Sequence, residues 1–379
     1  MQNSLNRRNF IKQTALASLA LTAGGLSVPA FAYEANVMWR KLPRWYGFNL
    51  LEKFMHEPDD LSRIAPEWSF YNQPFREIDF DWIAGFGFNF VRLPMSYKCW
   101  SAPDDWMKIV EPPLKEIDQA VEWGRQYKLH VNLNFHRAPG YCVNKPAEPL
   151  SLWDNEKALE VCAYHWKTFA ERYKGIPNER LSFDLLNEPA HTTNEKYAKV
   201  ATRLVGAIRE ADPDRLIIAD GLGYGNLPVP ELVPLKIGQS TRGYAPTLVS
   251  HYRASWGSDR DGHYPTPTWP LIDEHGKTMN KQSLLAGKIK PWKKLEALGC
   301  GVHVGEWGCY NRTPHAVALA WMKDNLELWR EAGWGWALWC FRGSFGILDS
   351  GRTDVKYEDF HGHKLDRKML ELLKEHMAA

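Results

Sequence analysis

Eight short apolar runs recur along the chain, at residues 45–50, 88–94, 130–136, 181–188, 215–221, 247–252, 301–308 and 334–341, and each reads as a strand. Amphipathic stretches lie between them. Leu114, Ile117 and Val121 fall at i, i+3 and i+7, and Leu365, Met369, Leu372 and Leu373 at i, i+4, i+7 and i+8, the spacing of a buried helical face. Residues 79–84, 155–173, 194–211, 290–298 and 315–332 also read as helices. Strands alternating with helices imply one parallel sheet, and eight is the number that closes such a sheet. The expected fold is α/β, a single (β/α)8 TIM barrel with long βα loops; a doubly wound open sheet is the alternative. No Pro/Ser linker, internal repeat or change of composition divides residues 33–379, so they are expected to form one domain. The total of 379 residues accommodates a barrel of about 250 residues with insertions.

The first 32 residues read as an address rather than as part of the fold. Asn6-Arg7-Arg8-Asn9-Phe10-Ile11-Lys12 is a twin-arginine segment, residues 14–28 are mildly apolar, and Ala30-Phe31-Ala32 is a small-x-small cleavage site. This pattern predicts export of a folded protein to the periplasm or beyond. Removing the segment takes away Arg7, Arg8 and Lys12 and no acid, so the remainder stays close to neutral. Near-neutrality gives no reason to expect a nucleic-acid or anionic-membrane partner. The six cysteines are scattered without CxxC pairs and read as mostly buried thiols, with Cys99–Cys142 as a conceivable late disulfide. A monomer is expected.

The outlying residue is tryptophan, with 18 copies. Indole faces suit flat apolar ligand faces, among which sugar rings are common, although most of the copies are expected to pack in the core. In a barrel of this type chemistry collects where strands end and βα loops begin. Here those ends are polar: Arg92-Leu93-Pro94, Phe135-His136-Arg137, Asn187-Glu188-Pro189, Ser250-His251-Tyr252, Gly305-Glu306-Trp307 and Trp339. Alternation puts Glu188 with Ser182 and Asp184, opposite Leu181, Phe183 and Leu185, and so into the barrel mouth. His136 similarly sides with Asn132 and Asn134. Glu306 sides with the apolar Val302 and Val304, which makes its inward direction the less secure. Two glutamates at strand ends suit glycoside hydrolysis. One carboxyl protonates the leaving oxygen, and the other attacks the anomeric carbon or activates water. Their mutual repulsion raises one pKa, while an arginine keeps the other ionised.

With these residues in view, the chain resembles glycoside hydrolase family 5, the cellulase-like retaining enzymes of the Asn-Glu-Pro clan. Leu185-Leu186-Asn187-Glu188-Pro189 is similar to the family's acid/base segment, and Gly305-Glu306-Trp307-Gly308 to its nucleophile segment. The resemblance implies Glu188 as acid/base, Glu306 as nucleophile and Asn187 bonding the sugar 2-hydroxyl. It further implies Arg92, His136 and Trp339 as substrate-binding residues, with Trp339 flooring the −1 subsite. No cofactor or metal is implied, and the expected partner is a β-linked oligo- or polysaccharide. One departure stands out. The family usually carries His-x-Tyr on the sixth strand, both facing inward, whereas the expected sixth strand reads His251-Tyr252-Arg253. His251 and Tyr252 are both carried over as substrate-binding, although alternation lets only one face inward unless a bulge intervenes. Trp153, Trp256, Trp269 and Trp307 are candidate sugar platforms, and loops 101–113, 140–154 and 254–289 could close a cleft into a pocket.

Competing readings are weaker. The 13 histidines contain no HExxH spacing for a metal hydrolase. The Gly-rich segment at residues 220–225 lacks both the GxGxxG order and a P-loop lysine. A β-mannanase or another β-glycosidase on the same fold is an alternative within the class. A catalytically silent carbohydrate-binding protein is the alternative outside it, and such a protein would have no use for both carboxylates.

Overall fold

A computed structural model describes residues 37–56, 72–257, 262–273 and 275–377; the expected export segment, 1–32, lies outside these. Eight parallel strands form a closed ring. They are β1 (Tyr46–Asn49), β2 (Phe90–Ser96), β3 (His130–Ala138), β4 (Leu181–Asp184), β5 (Ile217–Asp220), β6 (Gly238–Gly243), β7 (Val302–Trp307) and β8 (Trp336–Leu338). Each pairs with the next, and β8 returns to β1 with Trp336 opposite Tyr46. The expected barrel is therefore observed.

Helices α1 (Glu77–Gly85), α2 (Glu111–Tyr127), α3 (Glu156–Arg172), α4 (Asn194–Ala211), α5 (Lys290–Glu296), α6 (His315–Ala332) and α7 (Arg367–Glu375) sheathe the ring. Their ends follow local chemistry. The Asn155 side chain accepts the Ala158 N–H (3.1 Å) to start α3, and Gly333 ends α6 at φ 82°, where a β-carbon would be strained. On α3, Leu159, Cys162, Trp166 and Phe169 make one buried stripe. Trp166 lies flat on Phe135 of β3, with ring centroids 3.9 Å apart, and meets Phe183 of β4 at 5.1 Å.

The floor of the ring is apolar. Trp45, Phe90, Ile218 and Ala337 pack there, and Trp45 stacks on His130 at 4.0 Å. Burial pushes His130 and His303 down to about 3, so both rings are neutral parts of this plug. All six cysteines are free thiols, five of them buried and Cys142 half-buried, and Cys99 and Cys142 do not pair with each other.

Three expectations are corrected. Residues 247–252 are not a strand: Thr247–Ser250 is a helical turn, and the sixth strand is Gly238–Gly243. That strand carries no large apolar residue. On its outer face Gln239 accepts the Val229 N–H (3.0 Å) and donates to the Val229 carbonyl (2.8 Å), while Gly243 leaves room for Trp307 and Trp329. The loop at 254–289 is not structureless. It holds a hairpin pairing Leu271–Ile272 with Thr278–Met279, then a short helix, Lys281–Leu284, and a wide turn, Leu285–Ile289, leading into α5.

The third correction concerns β7. Its register against β6 runs Val302↔Gln239, His303↔Ser240, Val304↔Thr241 and then Glu306↔Arg242, so Gly305 is an extra residue in a bulge. Before the bulge His303 faces inward and Val302 and Val304 face the helices. After it Glu306 faces inward. A β-carbon on Gly305 would crowd Ser240 Oγ and come within 2.9 Å of Arg242 Nη1, so a larger residue would have to displace these inward side chains.

Candidate active site

Above the apolar plug the barrel fills with charge. Arg92 of β2 extends its guanidinium across the axis. Its Nε donates to Asp184 Oδ2 (2.9 Å), Nη1 to Asn49 Oδ1 (3.0 Å) and Glu306 Oε1 (2.6 Å), and Nη2 to Asn187 Oδ1 (3.0 Å). Asn49, at the end of β1, is itself held by donating to the Gly305 carbonyl (3.1 Å) and the Leu338 carbonyl (3.3 Å).

A second guanidinium, Arg242 of β6, enters from the opposite side. It donates through Nη1 to Asp220 Oδ1 (2.9 Å) and through Nη2 to Asp220 Oδ2, a bidentate clamp. Its Nε donates to Glu188 Oε1 (3.1 Å), and its Nη2 also reaches Glu306 Oε1 (3.1 Å) and Asn187 Oδ1 (2.8 Å). Tyr244, two residues on, donates its hydroxyl to Glu306 Oε2 (3.2 Å). Glu306 is therefore enclosed by two cations and a phenol.

Glu188 comes to the same cation by an irregular route. Strand β4 ends at Asp184, and Glu188 itself takes φ 50°, uncommon for a residue with a β-carbon. That turn lets both Asn187 and Glu188 reach the mouth, which strict alternation forbids. The Glu188 N–H donates to Asp220 Oδ2 (2.8 Å), and its carbonyl accepts from the Tyr141 hydroxyl (2.7 Å).

The two glutamates differ electrostatically. Burial, and next the neighbouring Glu306 charge, push Glu188 up to about 8, against the opposing pull of Arg242. Asp184 rises to about 7 through burial and then Asp220. Burial works against the charge of Arg242, yet Asp220, Glu306, Glu188 and Asp184 together hold its pKa above the ordinary value. Burial and the Glu306 charge keep the Tyr244 hydroxyl protonated. Near neutral pH Glu188 thus carries a proton, and its side chain keeps 17% of its surface exposed at the cleft. Trp339 lines the same mouth. His136 lies nearly parallel to it at 5.7 Å, and Phe54 stands edge-on to both, at 5.4 Å from Trp339 and 4.3 Å from His136. Burial, then Arg92 and Arg242, keep His136 neutral. Among the described residues no group of three or more His, Cys, Asp or Glu is arranged to hold a metal ion.

A family model described as "Cellulase (glycosyl hydrolase family 5)" matches residues 66–344, which hold all of this arrangement except Asn49 and Phe54. The chain belongs to glycosyl hydrolase family 5. It is a glycoside hydrolase, an enzyme that cleaves β-glycosidic bonds. It is 27% identical over 308 residues to endoglucanase C of Acetivibrio thermocellus, covering 74% of this chain and 88% of that protein. It is 31% identical over 133 residues to a probable glucan 1,3-β-glucosidase A of Emericella nidulans, covering 34% of this chain and 31% of that one. A crystal structure described as a glycoside hydrolase superposes with a TM-score of 0.80 at 40% identity, covering 88% of this chain and all of that chain. Thermotoga maritima Cel5A, solved with mannotriose, shares the fold with a TM-score of 0.69 at 20% identity, covering 90% and 99%.

Within this family 5 chain, the structure gathers Arg92, His136, Asn187, Glu188, Glu306 and Trp339 at one mouth. His251 stands one ring further out: it meets the Tyr244 ring at 4.9 Å and pairs Nδ1 with Ser250 Oγ (2.8 Å), while burial pushes it down to about 4. Tyr252 is not at the mouth. It is buried, its hydroxyl pairs with Thr266 Oγ1 (3.3 Å), and Arg253 covers its ring. Trp307 is a core residue too. Adjacent residues of a strand face opposite ways, so with Glu306 inward the Trp307 ring packs between Trp329 (4.7 Å) and Trp336 (5.4 Å). Of the other platform candidates, Trp153 packs on Tyr141 (4.8 Å), and Trp269 donates to Asp324 of α6 (2.8 Å). Trp256 is 48% exposed beside Tyr310. Sequence reasoning missed Asn49, Asp184, Asp220, Arg242 and Tyr244. The spacing Arg242-Gly243-Tyr244 was the available signal, since its tyrosine falls where the family's His-x-Tyr puts one.

Proposed function

We propose that this enzyme is a retaining hydrolase of a β-glucan or a related β-linked oligosaccharide, with Glu188 as acid/base and Glu306 as nucleophile. The observation that carries the reading is that both carboxylates bond one guanidinium, Arg242, while burial and the Glu306 charge push Glu188 up to about 8, where it holds a proton at neutral pH. Sharing one guanidinium favours the closer carboxylate spacing, which leaves no room for a water behind the sugar and suits direct attack. In the first step Glu306 bonds the anomeric carbon as the proton of Glu188 passes to the departing glycosidic oxygen. In the second, Glu188 takes a proton from water, whose oxygen displaces the Glu306 ester. Trp339 offers a flat face to the sugar. Asn187 Nδ2 and His136 Nδ1, both buried and without a protein partner, are the donor and ring nitrogen available to its hydroxyls.

The test is product analysis over β-1,4-glucan, β-1,3-glucan, xyloglucan and mannan oligosaccharides, with the anomer followed by NMR. We expect a β-glucan oligosaccharide to be preferred and the β-anomer to appear first. Initial release of the α-anomer overturns retention, and preference for mannan overturns the substrate class. Release of single terminal sugars marks exo action, and mixed internal fragments mark endo action, as in the endoglucanase names.

The same proposal places the enzyme outside the cytoplasm, on the strength of Arg7-Arg8 ahead of an apolar run and Ala30-Phe31-Ala32. In cell fractionation, replacing Arg7 and Arg8 together by lysine is expected to leave the full-length precursor in the cytoplasm. Unchanged export of the doubly substituted chain counts against the twin-arginine route.

A further inference from the structure

The position at which the family usually has a histidine carries Arg242, and its contacts exceed those of a spectator. A fixed cation 3.1 Å from Glu188 opposes the proton that an acid must hold. Left alone it would keep Glu188 ionised. It is not left alone: Asp220 clamps the same guanidinium through both carboxylate oxygens and also accepts the Glu188 backbone N–H (2.8 Å). Asp220 is fully buried, anchored on β5 beneath the Tyr197 hydroxyl, which donates to its carbonyl (2.8 Å). Arg92, the other central guanidinium, reaches Glu306 and Asp184 but makes no hydrogen bond to Glu188. Among the described residues, Arg242 is therefore the cation hydrogen-bonded to both glutamates.

We propose that Arg242 and Asp220 form a positioning pair that sets when Glu188 holds its proton, so that the state of Glu306 is transmitted to Glu188 through one guanidinium. The inference rests on the assignment of Glu188 and Glu306 above. In the free enzyme Arg242 divides its charge among Asp220, Glu306 and Glu188, so only part of it acts on the Glu188 proton. Bond formation between Glu306 and the anomeric carbon converts that carboxylate to a neutral ester. The guanidinium then loses one anionic partner, and its charge falls on Glu188, which has just given its proton to the leaving oxygen. The anion is stabilised when a base is needed. When water gives its proton to Glu188 and its oxygen displaces the ester, Glu306 becomes an anion again and reclaims Arg242. A neutral histidine cannot carry this charge back and forth.

The charged and titratable groups facing Glu188 are Arg242 and Tyr244 from the β6 side, Asp220 from β5, Glu306 from β7, Arg92 from β2 and Tyr141 from the loop after β3. Two substitutions in this set have opposite signs. Asp220→Asn keeps an oxygen for the Glu188 N–H but removes a negative charge and loosens the clamp. The alkaline limb of kcat/KM should move to lower pH by about one unit. Arg242→Gln removes the positive charge, so that limb should move to higher pH. Glu188 should then stay protonated in the ester intermediate. With a dinitrophenyl glycoside, whose leaving group needs no acid, Arg242→Gln should give a burst and a glycosyl-enzyme visible by intact mass. Azide, a nucleophile that needs no base, should restore turnover.

Limbs that stay in place in folded variants, or that move in the same direction, overturn the inference; a merely structural role lowers activity without opposed shifts. Should Arg242→Gln fail to fold, the acidward shift of Asp220→Asn alone decides. Glu188→Gln separates the two layers. Full activity in that variant removes the acid/base assignment itself, whereas an inactive Glu188→Gln beside unmoved limbs removes only the role of Arg242 and Asp220.

Discussion

Glu306→Ala is expected to lower kcat on an aryl β-glycoside by at least about ten-thousand-fold, because the proposed mechanism gives the bond to the anomeric carbon to Glu306. Glu306 accepts from Arg92, Arg242 and Tyr244, and among the described residues no other carboxylate meets all three. The same contacts forecast a stability effect. Removing one partner of a buried ion pair leaves the other uncompensated and costs about 3–5 kcal/mol. Asp184 and Asp220 remain to share the load, so the loss should fall toward the lower end. Glu306→Gln keeps an acceptor and should melt closer to the wild type while being equally inactive. Azide added to the alanine variant should yield the α-glycosyl azide by direct displacement. Retention of more than about one hundredth of the activity in a folded variant refutes the nucleophile assignment.

Glu188→Gln should cost about 10²–10⁴-fold on oligosaccharides, the usual range for loss of a general acid, and far less for bond cleavage in a dinitrophenyl glycoside. The pH dependence gives a second, independent reading. Glu188 is pushed up to about 8, so kcat/KM of the wild type should hold through neutrality and fall as pH rises past that value and the acid loses its proton. The Glu188→Gln profile should lack this fall. An identical alkaline limb in both proteins would assign it to another group.

The end of β3 was readable in the sequence, where His136 sides with Asn132 and Asn134 in a run whose other face is apolar. Alternation with Ser182 and Asp184 also pointed Glu188 at the mouth, although it arrives there through the irregular turn after β4, at φ 50°. Strand β6 was not readable for the converse reason. Gln239 and Thr241, on its outer face, satisfy themselves by hydrogen bonds to Val229 and Gly225 instead of by apolar packing. Thr247–Ser250, a helical turn, holds the Leu248-Val249 pair that mimicked a strand. With β6 displaced, Arg242 and Tyr244 fell out of view and Tyr252 took a place it does not hold. Glu306 lies on β7, the seventh strand read from the sequence, but the reason it faces inward is the bulge at Gly305, which no periodicity reveals. Trp307 could have been excluded beforehand, since its neighbour Glu306 was already assigned inward.

Closure of the ring has a consequence for assembly. The charged cluster draws on β1, β2, β4, β5, β6 and β7, and Asn49 bonds a carbonyl 256 positions away in sequence. Arg92 and Arg242 lie in the first two-thirds of the chain, while the carboxylate both of them bond, Glu306, arrives with β7. Until β7 docks, Arg92 faces Asp184 and Arg242 faces Asp220 and Glu188, and neither guanidinium has Glu306 as a partner. Hydrolytic power is thus acquired late and all at once. Regain of turnover on refolding reports completion of the ring, and an unfinished copy is harmless to any glycan it meets.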